Sequence, residues 1–145
     1  MIRVVTMAEE HISALAQLEK ECFADPWSEK ALAEELTNPN AVFRVALIDE
    51  EVAGYVGMLH VLDEGDICNV AVFDKFRRRG VATALIQHLV DYAVENQLSF
   101  ITLEVRESNI GAQKFYETMG FETIGIRKNF YDNPKEHAIL MNKTF

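Results

Sequence analysis

The chain has 145 residues, 49% hydrophobic and 26% charged, which suits one globular domain over residues 1–145 with a core of its own. Its 23 Asp and Glu against 14 Lys and Arg give a net charge of −9, which argues against direct nucleic-acid binding, since that needs Lys and Arg clustered over a face. No apolar stretch approaches the length needed to cross a bilayer, and residues 1–5 are too short for the apolar region of a secretory signal, so a cytoplasmic protein with no membrane partner is expected.

Residues 2–5 read as a first strand. Thr6 and Glu9 have capping-box spacing before a helix that places Ile12, Leu15, Leu18 and Cys22 on one face and ends near Phe23. Asp25-Pro26-Trp27-Ser28 is a turn, and Ser28 caps a second helix through Ala31, Leu32 and Leu36 until Asn38-Pro39 stops it. Strands over 42–48 and 52–62 form a hairpin, and Asp63-Glu64-Gly65-Asp66 turns the chain again into a strand over 67–73. A helix over 80–95 carries Val81, Leu85, Leu89 and Tyr92 at helical spacing. A strand over 100–106, a short helix over 108–119 stopped by Gly120, and strands over 121–127 and 138–141 complete the chain. This order predicts an α/β fold with a mixed, mostly antiparallel sheet and helices on both faces.

Cys22 and Cys68 lie inside apolar patterns, so they read as small buried hydrophobes in a reducing compartment, without a disulfide. His11, His60, His88 and His137 have no ligand spacing, and no metal site is expected. Arg77-Arg78-Arg79-Gly80-Val81-Ala82 joins a strand to a helix through a basic, glycine-containing turn. The first turn of a helix leaves N–H groups without partners and carries partial positive charge, so such a turn suits phosphate. A nicotinamide cofactor would need a full G-x-G-x-x-G and an acidic residue about twenty positions later, and those glycines are absent. In residues 100–106, Ile101, Leu103 and Val105 share one face, while Thr102, Glu104 and Arg106 share the other. A charge in mid-strand then faces solvent or a cleft.

Four segments together resemble the GCN5-related N-acetyltransferases (GNAT), and within them the bacterial branch of ribosomal-protein alanine acetyltransferases known as RimI. They are residues 23–28 (FADPWS), residues 69–72 (NVAV) leading to the R-x-x-G-x-A turn at 77–82, residues 103–109 (LEVRESN), and Phe115-Tyr116 with Gly120-Phe121. The turn belongs to the whole superfamily. L-E-V-R-x-S-N with a tyrosine seven residues after Asn109 is the pattern of the branch.

The resemblance implies a single-domain GNAT fold and acetyl-coenzyme A as co-substrate, with no metal. By position, the backbone of Val70, Ala71 and Val72 would pair with the pantetheine arm and supply oxyanion donors. Arg77, Arg78, Arg79, Gly80, Val81, Ala82 and Thr83 would take the pyrophosphate, and Asn109 would contact the cofactor. Glu104 matches the family's base, which takes a proton from an incoming amine, and Tyr116 matches its acid, which gives one to the departing sulfur. Read without the resemblance, Glu104 is a strand carboxylate paired with an arginine, and Tyr116 a core aromatic. Cys68 as a nucleophile lacks a histidine base, and a packed thiol fits better.

In the branch the substrate is the N-terminal alanine of small-subunit ribosomal protein eighteen, and an acidic enzyme suits a basic ribosomal partner. Trp27 and Tyr131, both in loops, would wall the peptide groove. Where the branch reads E-D-A before the last strand, this chain has Glu136-His137-Ala138. A small-molecule amine acetyltransferase, acting on a polyamine or aminoglycoside, and a non-catalytic acetyl-coenzyme A sensor are the alternatives.

Overall fold

Seven strands form one sheet in the order β1-β2-β3-β4-β5-β7-β6 in the computed structural model, which describes all residues from Met1 to Phe145. The strands are β1 (Ile2–Thr6), β2 (Ala41–Ile48), β3 (Glu51–Val61), β4 (Glu64–Val72), β5 (Phe100–Arg106), β6 (Glu122–Tyr131) and β7 (Glu136–Thr144). The helices are α1 (Ile12–Cys22), α2 (Glu29–Glu34), α3 (Val81–Glu95) and α4 (Ile110–Thr118). None is long and apolar enough to cross a membrane.

Both faces of the sheet are covered, which is why β2 reads as a nearly continuous apolar run. On one face Leu15, Leu18 and Leu32 of α1 and α2 pack on Phe43, Val45 and Tyr55. On the other, Leu85, Ile86 and Leu89 of α3 pack on Val56, Met58, Ile101 and Leu103. Leu85 and Leu89 are fully buried, so truncating either to Ala costs about 2–5 kcal/mol.

Every pairing is antiparallel except β4 with β5. That parallel register runs only from Glu64 opposite Phe100 to Asp66 opposite Thr102. Just beyond it Gly57 faces Asn69 and Met58 faces Ile67, which leaves Cys68 unpaired in a bulge. A bulge bends its strand and adds twist, and here it carries β4 away from β5. The result is a wedge in the middle of the sheet.

Four local expectations change. Thr6 ends β1 instead of capping a helix, and the entry to α1 is a short 3-10 turn in which His11 Nδ1 accepts the N–H of Ala8 at 2.9 Å. Residues 63–66 are not all turn: β4 starts at Glu64, since pairing of Glu64, Gly65 and Asp66 with β3 overrides their polar composition, and Leu62 takes the left-handed conformation (φ 56°). The last two strands are longer than the apolar pattern indicates, because β6 is an edge strand with mostly exposed residues. Cys22 and Cys68 are half-buried and not fully buried: Cys22 packs against the core under α1 and reaches the mouth of the wedge, and Cys68 lies in its wall.

Candidate active site

The wedge opens into a cleft of about 740 Å³. Residues 66–70 of β4 form one wall and residues 103–106 of β5 the other. Asn109, which caps α4, with Ala112 and Tyr116 of α4 closes one side, and the mouth is flanked by residues 22–25, at the end of α1 and just after it, and by residues 130–134, at the end of β6 and in the turn to β7. These two loops touch: Asn133 Nδ2 donates to Asp25 Oδ1 at 3.3 Å.

Strand alternation decides which β5 side chains reach the cleft. Ile101, Leu103 and Val105 are buried in the core, so Glu104 and Arg106 project the other way. The Glu104 side chain is only 17% exposed, and its Oε1 lies 3.8 Å from Arg127 Nε. Burial pushes its carboxyl above the usual range and the charge of Asp66 adds to this, while Arg127 opposes. Asp66 is shifted upward by the same kind of burial, again opposed by Arg127. Two carboxylates thus share one exposed guanidinium, which favours one of them holding a proton further up the pH scale than an isolated side chain would.

Tyr116 projects from α4 into the same cleft, 8% exposed and held between Phe115 and Phe121 at centroid distances of 5.2 and 5.7 Å. Burial, with a lesser contribution from Tyr131, pushes its hydroxyl up to about 12. It therefore keeps its proton through the neutral range. Cys68 is also pushed up to about 12, by burial and then by Asp66, Glu35 and Glu104. A thiol so shifted is almost entirely protonated at neutral pH and is a poor nucleophile.

The basic turn lies between β4 and α3. Arg78 (φ 64°) and Gly80 (φ 82°) are both left-handed. Space does not demand the glycine, since a Cβ there would meet nothing within 4 Å; the backbone conformation does. The first helical bond runs from Ala84 N–H to Gly80 O at 3.0 Å, so the N–H groups of Val81, Ala82 and Thr83 have no intrahelical partner. Arg77 is committed elsewhere: it donates to Val72 O at 3.3 Å, Asp74 Oδ1 at 3.3 Å and Cys22 Sγ at 3.7 Å. Arg78 and Arg79 remain exposed beside the helix start. Of residues 70–72, Val70 lines the cleft and Ala71 is buried. Beyond Asp66 this stretch of β4 pairs only with β3, which leaves its second edge open. An extended, anionic thioester fits these features: an open strand edge for its amide arm, and unpaired N–H groups with the exposed guanidinium groups of Arg78 and of Arg79, which lies 5.5 Å over the Phe76 ring, for its phosphates.

Asn109 sits at the cleft as the cap of α4, its Oδ1 accepting Ala112 N–H at 3.1 Å, so its amide N–H groups are what it can offer a ligand. Tyr131 lines the cleft, with the Arg106 guanidinium 4.4 Å above its ring, but from the end of β6, where it pairs with Glu136, and not from a loop. Trp27 does not line it. It lies half-buried beside a separate hollow with Pro26 and Ala31, its ring 5.8 Å from that of Phe43.

Four side chains here were given no role by the sequence reading. Arg106 donates to Pro134 O, Glu136 Oε1 and Asp132 O at 2.9, 3.1 and 3.0 Å. Glu136 Oε2 accepts Ser108 N–H at 2.6 Å, and hydrogen bonds from Ser108, backed by Arg106, hold that carboxyl below the usual range. Together they clamp the turn between β6 and β7 over β5; the only sequence signal was the position of Arg106 in the exposed register with Glu104. Asp66 was hidden by its turn-like neighbours. His137 accepts the N–H of Asn129 at 2.9 Å where β6 takes its irregular register, so at the departure from E-D-A it holds the hairpin.

The acetyltransferase (GNAT) family model matches residues 12–121. A putative ribosomal protein bS18-alanine N-acetyltransferase of Bacillus subtilis is 34% identical over 139 residues, 95% of this chain and 92% of that protein. The crystal structure of the ribosomal-protein-S18-alanine N-acetyltransferase of Escherichia coli superposes with a TM-score of 0.91 at 30% identity, over 99% of this chain and 94% of that one. A putative streptothricin acetyltransferase of Bacillus anthracis, solved with acetyl coenzyme A, reaches a TM-score of 0.70 at 29% identity, over 78% of this chain and 67% of that one. With the wedge, the open strand edge and the arginine turn in place, this chain belongs to the acetyltransferase (GNAT) family and is an acetyl-coenzyme A-dependent N-acetyltransferase.

Proposed function

We propose that the enzyme acetylates the α-amine of a protein N-terminus, and that its principal substrate is the N-terminal alanine of ribosomal protein bS18. The observation that carries the reading is that Glu104 and Tyr116 share one cleft whose mouth lies between two short segments, 22–25 and 130–134. The relatives named for bS18 support the choice of protein.

Acetyl-coenzyme A supplies an activated acetyl group; the chain's own residues do the rest. An ammonium has no lone pair, so the amine must lose a proton before it can attack. Glu104 takes that proton at a carboxylate oxygen, directly or through one water. An α-amine, titrating near ~8, makes a lighter demand on a carboxylate than a lysine near ~10.4. The raised affinity of Glu104 for protons, set by burial and by Asp66, brings it closer to the amine it serves. Tyr116 presents an O–H that stays protonated and hydrogen-bonds to the sulfur as it leaves. N–H groups on the open edge of β4 around Val70 face the developing negative charge on oxygen. No enzyme side chain carries the acetyl group, so both substrates occupy the cleft together.

The test is thiol release from acetyl-coenzyme A with an alanine-initiated peptide, its N-terminally blocked twin containing lysine, and a polyamine, with mass spectrometry to place the acetyl group. Acetylation confined to the free N-terminus is expected. Turnover with the polyamine alone would overturn the substrate and keep the cofactor.

A further inference from the structure

Glu19, on α1, is a charged residue with no exposure at all, and the chemistry above makes no use of it. A buried carboxylate persists only where donors replace water. Here they come from three separate elements. Trp27 N–H donates to Oε1 at 2.9 Å, Tyr55 O–H of β3 donates to Oε2 at 2.6 Å, and Asn69 Nδ2 of β4 donates to Oε2 at 3.2 Å. Asn69 also donates to the Tyr55 oxygen at 3.3 Å. The main chain of the same residue is used too, since Glu19 O accepts Phe23 N–H at 2.9 Å.

Glu19 therefore brackets residues 23–27, holding the first N–H of that loop by its carbonyl and the last by its carboxylate. Phe23, Ala24 and Asp25 form one lip of the cleft, and Asn69 lies in the bulged stretch of the opposite wall beside Cys68. We propose that Glu19 is a positioning residue that sets the spacing between the substrate lip and the bulged β4 wall, and so governs affinity for the peptide and not for acetyl-coenzyme A. The substrate half of this inference rests on the proposed peptide reading; the tether itself does not. Charge-assisted hydrogen bonds give it the stiffness the task needs. Gln replaces it only in part, because its one oxygen can still accept Trp27 N–H while its NH₂ faces the Tyr55 hydroxyl, whereas Leu offers no acceptor to either side.

The experiment is amide hydrogen exchange together with steady-state kinetics. In the wild-type enzyme Trp27 N–H is expected to exchange at least about tenfold more slowly than Ala24 and Asp25, whose N–H groups have no such partner. In Glu19→Leu, which has no acceptor, the Trp27 amide loses that protection while Leu85 and Ile101 keep theirs. The peptide KM then rises about fivefold, with kcat and the acetyl-coenzyme A KM unchanged. Tyr55→Phe, which leaves the Trp27 bond in place, is expected to keep the protection. Wild-type Trp27 exchanging as fast as its neighbours would overturn the tether whatever the variant does. A Trp27 amide that stays protected in Glu19→Leu would equally overturn the tether, and a release in that variant that lowers kcat and leaves the peptide KM unmoved would overturn the positioning role. Absence of peptide acetylation by the wild-type enzyme would refute the peptide reading, and with it the substrate half, while exchange still judges the tether.

Discussion

The two halves of the cleft are built from different materials. On the side proposed for the cofactor, the open edge of β4 and the turn into α3 offer mainly backbone N–H groups, helped by Arg78 and Arg79. On the substrate side, the loops are held by side chains reaching across the fold: Arg106 with Glu136, His137 with Asn129, and Glu19 with Trp27, Tyr55 and Asn69. A backbone site needs only a local conformation, so a short motif can carry it. A side-chain clamp needs partners whose separation in sequence says nothing of their separation in space. The cofactor half can thus be common to a family, while the other half carries what distinguishes one substrate from another.

Glu104 stands where the halves meet and should show the largest effect. Glu104→Gln keeps the shape and removes the proton acceptor, so kcat/KM for the peptide should fall between about 100- and 10,000-fold, measured by thiol release. Tyr116→Phe removes only an O–H and leaves the packing against Phe115 and Phe121, so kcat should fall about tenfold, the worth of one hydrogen bond of roughly 1.4 kcal/mol in the transition state. Arg106→Lys sharpens the contrast between halves. Lys cannot fork to Pro134, Glu136 and Asp132 together, so the peptide KM should rise about fivefold while the acetyl-coenzyme A KM stays put.

The smallest effects are electrostatic. Glu104 must be ionised to accept a proton, and its carboxyl lies above the usual range, so kcat/KM should decline as pH falls through that raised value. Asp66→Asn removes a negative neighbour and should move this acid limb to lower pH. Arg127→Ala removes the opposing positive charge and should move it to higher pH. A pH–rate profile of each variant reads the sign directly, and two limbs moving the same way would contradict the arrangement.

The same division explains what could be read before the structure. The strand feeding the arginine turn, the helix after it and the alternation that turns Glu104 away from the core are local patterns, each visible within about ten residues. The wedge is not local. It needs the Cys68 bulge and a parallel register that stops at Asp66 and Thr102, and nothing in residues 63–66 distinguishes a paired strand from a turn until β3 lies beside them. Trp27 shows the converse. It lies in a loop next to the cleft residues, yet its ring packs toward Phe43, and its backbone N–H is held by Glu19. Glu19 reads in sequence as one more charge on an amphipathic helix; only the fold brings three donors to it.

The most direct test of the separation between halves is a crossed comparison of Glu104→Gln with the Arg78→Ala, Arg79→Ala double variant, measuring the acetyl-coenzyme A Kd by calorimetry and turnover at saturating co-substrate. The first variant should bind acetyl-coenzyme A as the wild type does and lose turnover. The second should bind it several-fold more weakly, more so at low salt, and recover wild-type turnover once saturated. Binding and turnover falling together in both variants would contradict the account.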